Sequence, residues 1–311
     1  MKNPKVSIIT PTFNRAAVLP RTAKSVFSQS FRDFEWILVD DGSTDETAKV
    51  VQNFADPRVV FVASPKNGGQ NAARNLAEKF VRGKWVVYLD SDDTFFDETT
   101  LEMMVSEAEK MPKKVAKVNF PVVAESGIKK SFLKSDRMRL SLRELLCRSH
   151  TRGEFVCIQR AETLKMASWP EKFSGVENLR HFRVVEKYDS FYINRPALRY
   201  FDNNADNETS GDGFLKKIDG VVAGTEKFLA RYRKYYKKWC PRRYGENLAK
   251  WCFLSSLSPK YAKNAWKIWR AAFAFSAPKS ELCALFFWLF LPISWRRFLF
   301  SRGKKFIRKI Y

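Results

Sequence analysis

The chain of 311 residues holds only five cysteines and two histidines, and no apolar run in it is long enough to span a bilayer. Cys147, Cys157, Cys240, Cys252 and Cys283 are odd in number, widely spaced and free of any CxxC pair. That pattern speaks against a disulfide scaffold or a structural zinc site and favours a reducing compartment. The most apolar stretch, Leu282 to Ile293, ends after 12 residues, whereas a spanning helix needs roughly 20. The stretch from Met1 to Pro11 lacks the length of a secretory leader, so secretion is not expected. No Walker lysine motif and no GxGxxG follows a β-rich run, which removes the P-loop and dinucleotide fingerprints.

Acidic residues are scarce in one region alone. Residues 227–311 carry 21 Lys and Arg against Glu246 and Glu281, or +19, while residues 1–226 carry 35 basic and 31 acidic, or +4, within a total of +23. A near-neutral body and a strongly basic tail therefore need separate explanations. With 45% apolar residues the chain is too hydrophobic to be disordered.

The body reads as alternating strand and helix. Lys5 to Pro11, Glu35 to Val39, Val59 to Ala63 and Lys84 to Leu89 are β-rich runs. Between them, helical spacing covers Ala17 to Gln29, Ser43 to about Phe54 and about Gln70 to Val81, the second opened by a capping box with Glu46 three residues after Ser43. Such alternation predicts βαβ units and a mostly parallel sheet, with ligands bound beyond the carboxyl ends of the strands. Each run ends in a polar cluster: Thr10 to Thr12 with Asn14, Asp40 to Ser43, Lys66 to Gly68, and Asp90 to Asp93.

As many as five carboxylates (Asp40, Asp41, Asp90, Asp92 and Asp93) would then share one rim. Like charges that close repel unless a cation neutralises them. Mg²⁺ or Mn²⁺ suits the task, since it is held by one or two carboxylates together with phosphate oxygens. Asp90 and Asp92 point the same way from a strand end and can bracket a metal diphosphate. A lone strand-end aspartate such as Asp45 is more simply a turn former, but one turn does not need three carboxylates.

The runs VSIITPTFNR, ILVDDGSTD, NGGQNAARN and YLDSDD, in that order, resemble the nucleotide-sugar-binding half of glycosyltransferase family 2, over residues 4 to about 120. The resemblance implies a GT-A fold, Rossmann-like, with a mostly parallel sheet flanked by helices, over residues 1–226: a nucleotide-sugar half to 120 and an acceptor half over 121–226. It implies that Pro11, Thr12 and Phe13, with Asn14, line the base and ribose of the donor. Asp41 would hold the pyrimidine edge, and Asn67, Gly68 and Arg74 the floor of the pocket. Asp90, Ser91 and Asp92 are similar to the family's Asp-x-Asp, with Asp92 the direct ligand of Mn²⁺ or Mg²⁺ and Asp90 near the ribose. A uracil N3 proton needs an acceptor, and a leaving diphosphate needs a Lewis acid.

Family 2 enzymes invert the anomeric centre, so the acceptor hydroxyl needs a general base within about 3 Å. The family supplies an aspartate from a Glu-Asp pair. The equivalent here is Glu177-Asn178, and Asn178 cannot take a proton. Glu177 is the expected base, with Asp189 as an alternative; His181 is read as structural or solvated. The departure at Asn178 also leaves open a non-catalytic nucleotide-sugar-binding or scaffolding role in a glycan-assembly complex. The stretch from Tyr192 to Tyr200 resembles the closing strand, and the histidine that family members often carry beyond it is missing.

The tail lies outside the resemblance. It is expected to be helical, with Tyr261, Ala265, Ile268 and Ala272 on one face of a first helix, Lys260, Lys263, Lys267 and Arg270 on another, and a more apolar helix from Glu281 to Leu291. Its 22 aromatic residues among clustered cations suit an anionic membrane surface, and no nucleic-acid module is recognisable. The expected protein is a cytoplasmic enzyme, peripheral on the inner face of the cell membrane, that takes a nucleotide-sugar donor, most simply a UDP-sugar, and a lipid-linked or cell-surface glycan acceptor.

Overall fold

The computed structural model describes residues 3–128, 131–147, 151–171, 178–201, 211–275 and 277–302. Glu177, the loop Asp202 to Asn207 and the basic run Lys304 to Lys309 lie outside the described residues. Two compact units divide the chain, the first made of residues 1–145, 149–171 and 180–203, the second of 146–148, 172–179 and 204–311.

The first unit opens with strands β1 (Val6–Thr12), β2 (Phe34–Asp40), β3 (Val59–Ala63) and β4 (Trp85–Tyr88), separated by helices α1 (Leu19–Phe27), α2 (Thr47–Gln52) and α3 (Gln70–Ala77). These four strands are parallel neighbours in the order β3-β2-β1-β4. The chain continues through β5 (Thr94–Phe95), α4 (Thr100–Glu109), β6 (Val115–Ala124), β7 (Ser131–Leu133), β8 (Arg137–Leu140), α5 (Leu142–Cys147), β9 (Thr151–Gly153), β10 (Phe155–Arg160), α6 (Asn178–Val185), β11 (Asp189–Ile193) and β12 (Leu198–Tyr200). β10 inserts antiparallel between β4 and β6, and β11 and β12 run parallel to β6. The result is a mixed sheet with helices on both faces.

Both faces of β1 and β2 are buried, which is why they read as unbroken apolar runs. On one face Ile8, Trp36 and Leu38 pack with Leu19, Val26, Leu101 and Met104 of α1 and α4. On the other, Ile9, Ile37, Val39 and Val86 meet Ala73 and Ala77 of α3.

Several elements depart from the sequence reading. α2 begins at Thr47 rather than Ser43, because the Ser43 hydroxyl donates to the Asp40 carboxylate and accepts from the Asn14 N–H at 2.8 Å, so it serves the loop and not a capping box. Asp45 is the turn former expected, accepting from the N–H groups of Ala16 and Thr47 at 3.1 and 3.0 Å. β7 pairs with β9 as a separate two-stranded ribbon. The single closing strand is two strands, since Asn194 to Ala197 interrupt it.

The second unit is helical: α7 (Gly211–Lys216), α8 (Ile218–Trp239), α9 (Pro241–Leu257), α10 (Ala265–Ala274), α11 (Lys279–Phe290) and α12 (Ile293–Arg302). Ala265, Ile268 and Ala272 of α10 are buried as their spacing predicts, and Lys267 and Arg270 are exposed, but the helix starts only at Ala265, so Lys260, Tyr261 and Lys263 precede it and Tyr261 is half-buried. Among the described residues, no helix is long and apolar enough to cross a membrane. Cys147, part of this unit, is disulfide-bonded to Cys240 across 93 residues, a single bond that the expectation of a reducing compartment did not anticipate, while Cys157, Cys252 and Cys283 are free. Spacing alone could not reveal it, because the partners meet only once the chain has folded.

Candidate active site

The polar clusters converge because β1, β2 and β4 end at the same edge of the parallel block, with Thr12 paired to Asp40 and Ile9 to Tyr88. Asp41 follows β2 and extends the ladder by one bond, its N–H donating to the Thr12 carbonyl at 2.8 Å. Its carboxylate is 4% exposed and accepts from the N–H groups of Gly68 and Gly69 at 2.9 and 2.7 Å. Those glycines lead directly into α3, so a fixed negative charge faces the first turn of that helix, where the backbone dipole favours it. The two loops touch so closely that a Cβ at Gly42 (φ +77°) would lie 2.9 Å from the Asn67 nitrogen. Glycine is required there on both counts.

Pro11 and Thr12 are buried at the end of β1, Phe13 is exposed, and Asn14 takes a left-handed conformation (φ 51°). Asn14 Oδ1 accepts from the Thr44 N–H at 2.8 Å, tying the first loop to the second. Asp40 is buried and bound to Ser43, so it builds the loop and does not join the open rim.

Asp90 to Asp93 are held from two helices. Asp90 Oδ1 accepts from Arg74 Nη2 at 2.8 Å and Gln70 Nε2 at 3.0 Å, both on α3. On α1, the Thr22 hydroxyl lies 2.9 and 2.8 Å from the carbonyls of Ser91 and Asp93, and Arg21 Nη2 donates to the Asp92 carbonyl at 2.8 Å. Thr22→Val should cost roughly 1–2 kcal/mol, since it leaves buried carbonyls without their donor; a urea midpoint equal to that of the parent would show that the loop is held by other means.

Burial pushes the Asp93 carboxyl up to about 9, with Asp90, Asp92 and Glu154 adding to the rise and Arg21 opposing it. One of its oxygens is buried without a hydrogen-bond partner. Among the described residues, no three His, Cys, Asp or Glu side chains form a metal cage. The donor set does fit a cation that shares its shell with a diphosphate: carboxylates within one turn, mutually repelling, with a buried oxygen unpaired.

Arg74 is 8% exposed and lies with its guanidinium 4.7 Å from the Trp169 ring centroid, while Arg180 lies 4.6 Å from the same ring. Glu78 accepts from Trp169 Nε1 at 2.7 Å and pairs with Arg180 at 2.9 Å. Burial raises the Glu78 carboxyl, against the pull of Arg180, Tyr88 and Trp169. No local pattern in the sequence marks the Trp169 ring that supports Arg74, or Glu154 near Asp93.

The base assigned to Glu177 falls outside the described residues, and Asn178 opens α6. His181 Nδ1 is 3.1 Å from Lys117 Nζ, and burial, with Lys117, drives its pKa well below the usual value, in keeping with a structural role. Asp189 is removed as an alternative base. It starts β11, which runs in the same direction as β4, so it lies at the edge opposite Asp90, paired with Arg139 at 2.6 Å.

Residues 7–158 match the family described as Glycosyl transferase family 2. Over 256 residues the chain is 29% identical to the GalNAc(5)-diNAcBac-PP-undecaprenol beta-1,3-glucosyltransferase of Campylobacter jejuni, covering 78% of this chain and 81% of the relative. Among solved structures, S. aureus TarS 1-349 in complex with UDP-GlcNAc superposes with a TM-score of 0.59 at 18% identity, over 88% of each chain. The mannosyltransferase PcManGT from Pyrobaculum calidifontis, in complex with GDP-Man and Mn²⁺, gives 0.56 at 17% identity, over 99% of this chain and 88% of the other. Residues 7–158 thus belong to a family 2 glycosyltransferase domain of the GT-A fold, and the chain is a glycosyltransferase that uses a nucleotide sugar.

Proposed function

We propose that this enzyme is metal-dependent and inverting, and that it moves a sugar from a UDP-sugar to a lipid-linked or cell-surface glycan at an anionic membrane surface. The observation that carries the reading is the Asp41 carboxylate, pinned by Gly68 and Gly69 N–H groups beside the Asp90 to Asp93 loop. Each carboxylate oxygen keeps a second lone pair, so Asp41 can accept a uracil N3 proton without releasing the glycines. Pro11, Thr12, Phe13 and Asn14 would line the base and ribose, and Asn67, Gly68 and Arg74 the floor.

Asp92 and Asp90 would hold Mn²⁺ or Mg²⁺, with Ser91 between them. A bound cation would act as a Lewis acid on the leaving diphosphate. Arg74 draws Asp90 toward α3, which leaves Asp92 as the more direct ligand. The Mn²⁺ in the Pyrobaculum complex and the undecaprenol-linked acceptor in the Campylobacter enzyme's name support the metal and the acceptor class. The basic tail, residues 227–311, would sit on the membrane, with the catalytic body at the cytoplasmic face.

Thermal shift against UDP-, GDP- and dTDP-sugars with Mn²⁺ tests the donor reading. The largest stabilisation is expected from a UDP-sugar, and a preference for GDP- or dTDP-sugars would overturn it. Glu177→Gln should lower kcat by about 10²–10⁴-fold with donor affinity unchanged, the range for loss of a positioned base; a near-parental rate would sink that assignment.

A further inference from the structure

We propose that the cavity between α9 and α11 takes one acyl chain of an anionic membrane phospholipid. The inference rests on the membrane-surface reading of the tail and goes beyond it, from adhesion to a built chain site. The cavity measures about 580 Å³, inside the range of about 300–1,000 Å³ for small-molecule sites. Phe253 on α9 and Ala284, Leu285 and Trp288 on α11 form its wall. Trp288 Nε1 donates to Ser256 Oγ at 2.9 Å, so the indole N–H is already satisfied. Water inside such a wall finds few partners, and a hydrocarbon loses nothing by entering.

The surroundings select the kind of hydrocarbon. Phe287, which borders the cavity, is 72% exposed, and Phe290 and Trp295 on α11 and α12 are 66% and 60% exposed. Exposed apolar groups in such number mark an interaction surface, and tryptophan suits the boundary between headgroups and chains. Arg296 donates to the carbonyls of Ser256 and Leu291, both at 2.8 Å, and Arg297 to that of Leu257 at 2.9 Å. Their guanidinium charges therefore stand at the C-terminal ends of α9 and α11, and Leu291 also borders the cavity. Lys250 and Glu281 line it as well, so the local charge is mixed, but the +19 of residues 227–311 dominates at the distance of a headgroup. The same excess repels a second copy of this chain, and nucleic acid has no chain to insert. A phospholipid supplies both the anionic head and the hydrocarbon.

The test uses the full chain in two arms. In the first, dodecyl phosphate below its micelle concentration is titrated calorimetrically, with inorganic phosphate as the headgroup control. One dodecyl phosphate per chain should bind, inorganic phosphate should not match it, and Ala284→Trp, which fills the cavity, should weaken binding at least tenfold. Ser280→Phe, on the exposed rim of the cavity, gives a milder block should Ala284→Trp fold poorly, and its circular dichroism should equal that of the parent. Binding unaffected by both variants, or equalled by inorganic phosphate, overturns the proposal. Displacement by a polyprenyl phosphate but not by phosphatidylglycerol would overturn it too, by assigning the cavity to a lipid-linked substrate. In the second arm, flotation with phosphatidylglycerol vesicles reads the surface adhesion alone. Flotation without dodecyl phosphate binding removes the chain site and leaves the surface reading; dodecyl phosphate binding without flotation removes the surface reading and, with it, a membrane phospholipid as the occupant.

Discussion

Asp92→Ala is expected to abolish Mn²⁺-dependent donor binding and to lower sugar transfer by at least roughly 10²–10³-fold, the scale on which losing one preorganised electrostatic partner of the reacting group is felt. The loop should survive the change. Its backbone is held by Thr22 and Arg21 through the carbonyls of Ser91, Asp92 and Asp93, none of which involves the Asp92 side chain. Asp90 alone does not make up the loss, because one of its oxygens is committed to Arg74 and Gln70 and only the other is left for the cation. Removing Asp92 also removes one of the charges that raise the Asp93 carboxyl. Calorimetry of the UDP-sugar with and without Mn²⁺ measures the effect directly. Donor affinity that stays metal-dependent and unchanged in Asp92→Ala would refute the assignment.

The rim that carries this prediction was legible because it follows from periodicity. Four apolar runs, each stopped by a polar cluster, become parallel strands whose ends share one edge, and β3 at Val59–Ala63 matches its expected bounds. The buried face of α10 was legible for the same reason, since Ala265, Ile268 and Ala272 recur at helical spacing. What stayed hidden depends on residues distant in sequence. Trp169 reaches Glu78 across 91 positions and Arg180 reaches Tyr88 across 92, and no local pattern can pair them. Glu154 looked like an ordinary residue near a strand start until the antiparallel insertion of β10 turned its end toward Asp93. Ser43 misled because a capping-box pattern and a loop-building serine are the same residues, and the Asp40 carboxylate was the stronger partner. Asp189 became decidable only with strand direction in hand.

At the opposite edge of the sheet from the rim, Glu35→Ala should cost roughly 3 kcal/mol and lower Tm by about 6–12 °C, taking about 2–4 °C per kcal/mol for a domain of this size. Glu35 is 1% exposed at the start of β2. Its carboxylate accepts from Ser7 Oγ at 2.6 Å, from the Arg82 N–H at 2.8 Å and from Arg82 Nε at 2.6 Å. Ser7 Oγ in turn accepts from the Gly83 N–H at 2.9 Å, so one side chain satisfies donors from β1 and from the turn into β4. Hydrogen bonds to a charged group are worth about 1.5–3 kcal/mol each, and every buried donor left without an acceptor adds a desolvation cost. The Arg82 guanidinium is half exposed, with 51% of its side-chain surface accessible, and can turn to water when Glu35 is removed. Its ion pair is therefore the smaller part of the loss, and the orphaned Ser7 hydroxyl and Arg82 N–H are the larger. That ranking predicts a series: Arg82→Ala costs about 1 kcal/mol, Glu35→Gln falls between the two because it keeps a neutral acceptor, and Ser7→Ala with Glu35→Ala is less than additive because the two side chains share a bond. Urea unfolding of the five variants, Ser7→Ala alone among them, checks the order. If Arg82→Ala proved as costly as Glu35→Ala, the exposed ion pair rather than the buried donors would be holding this edge of the sheet.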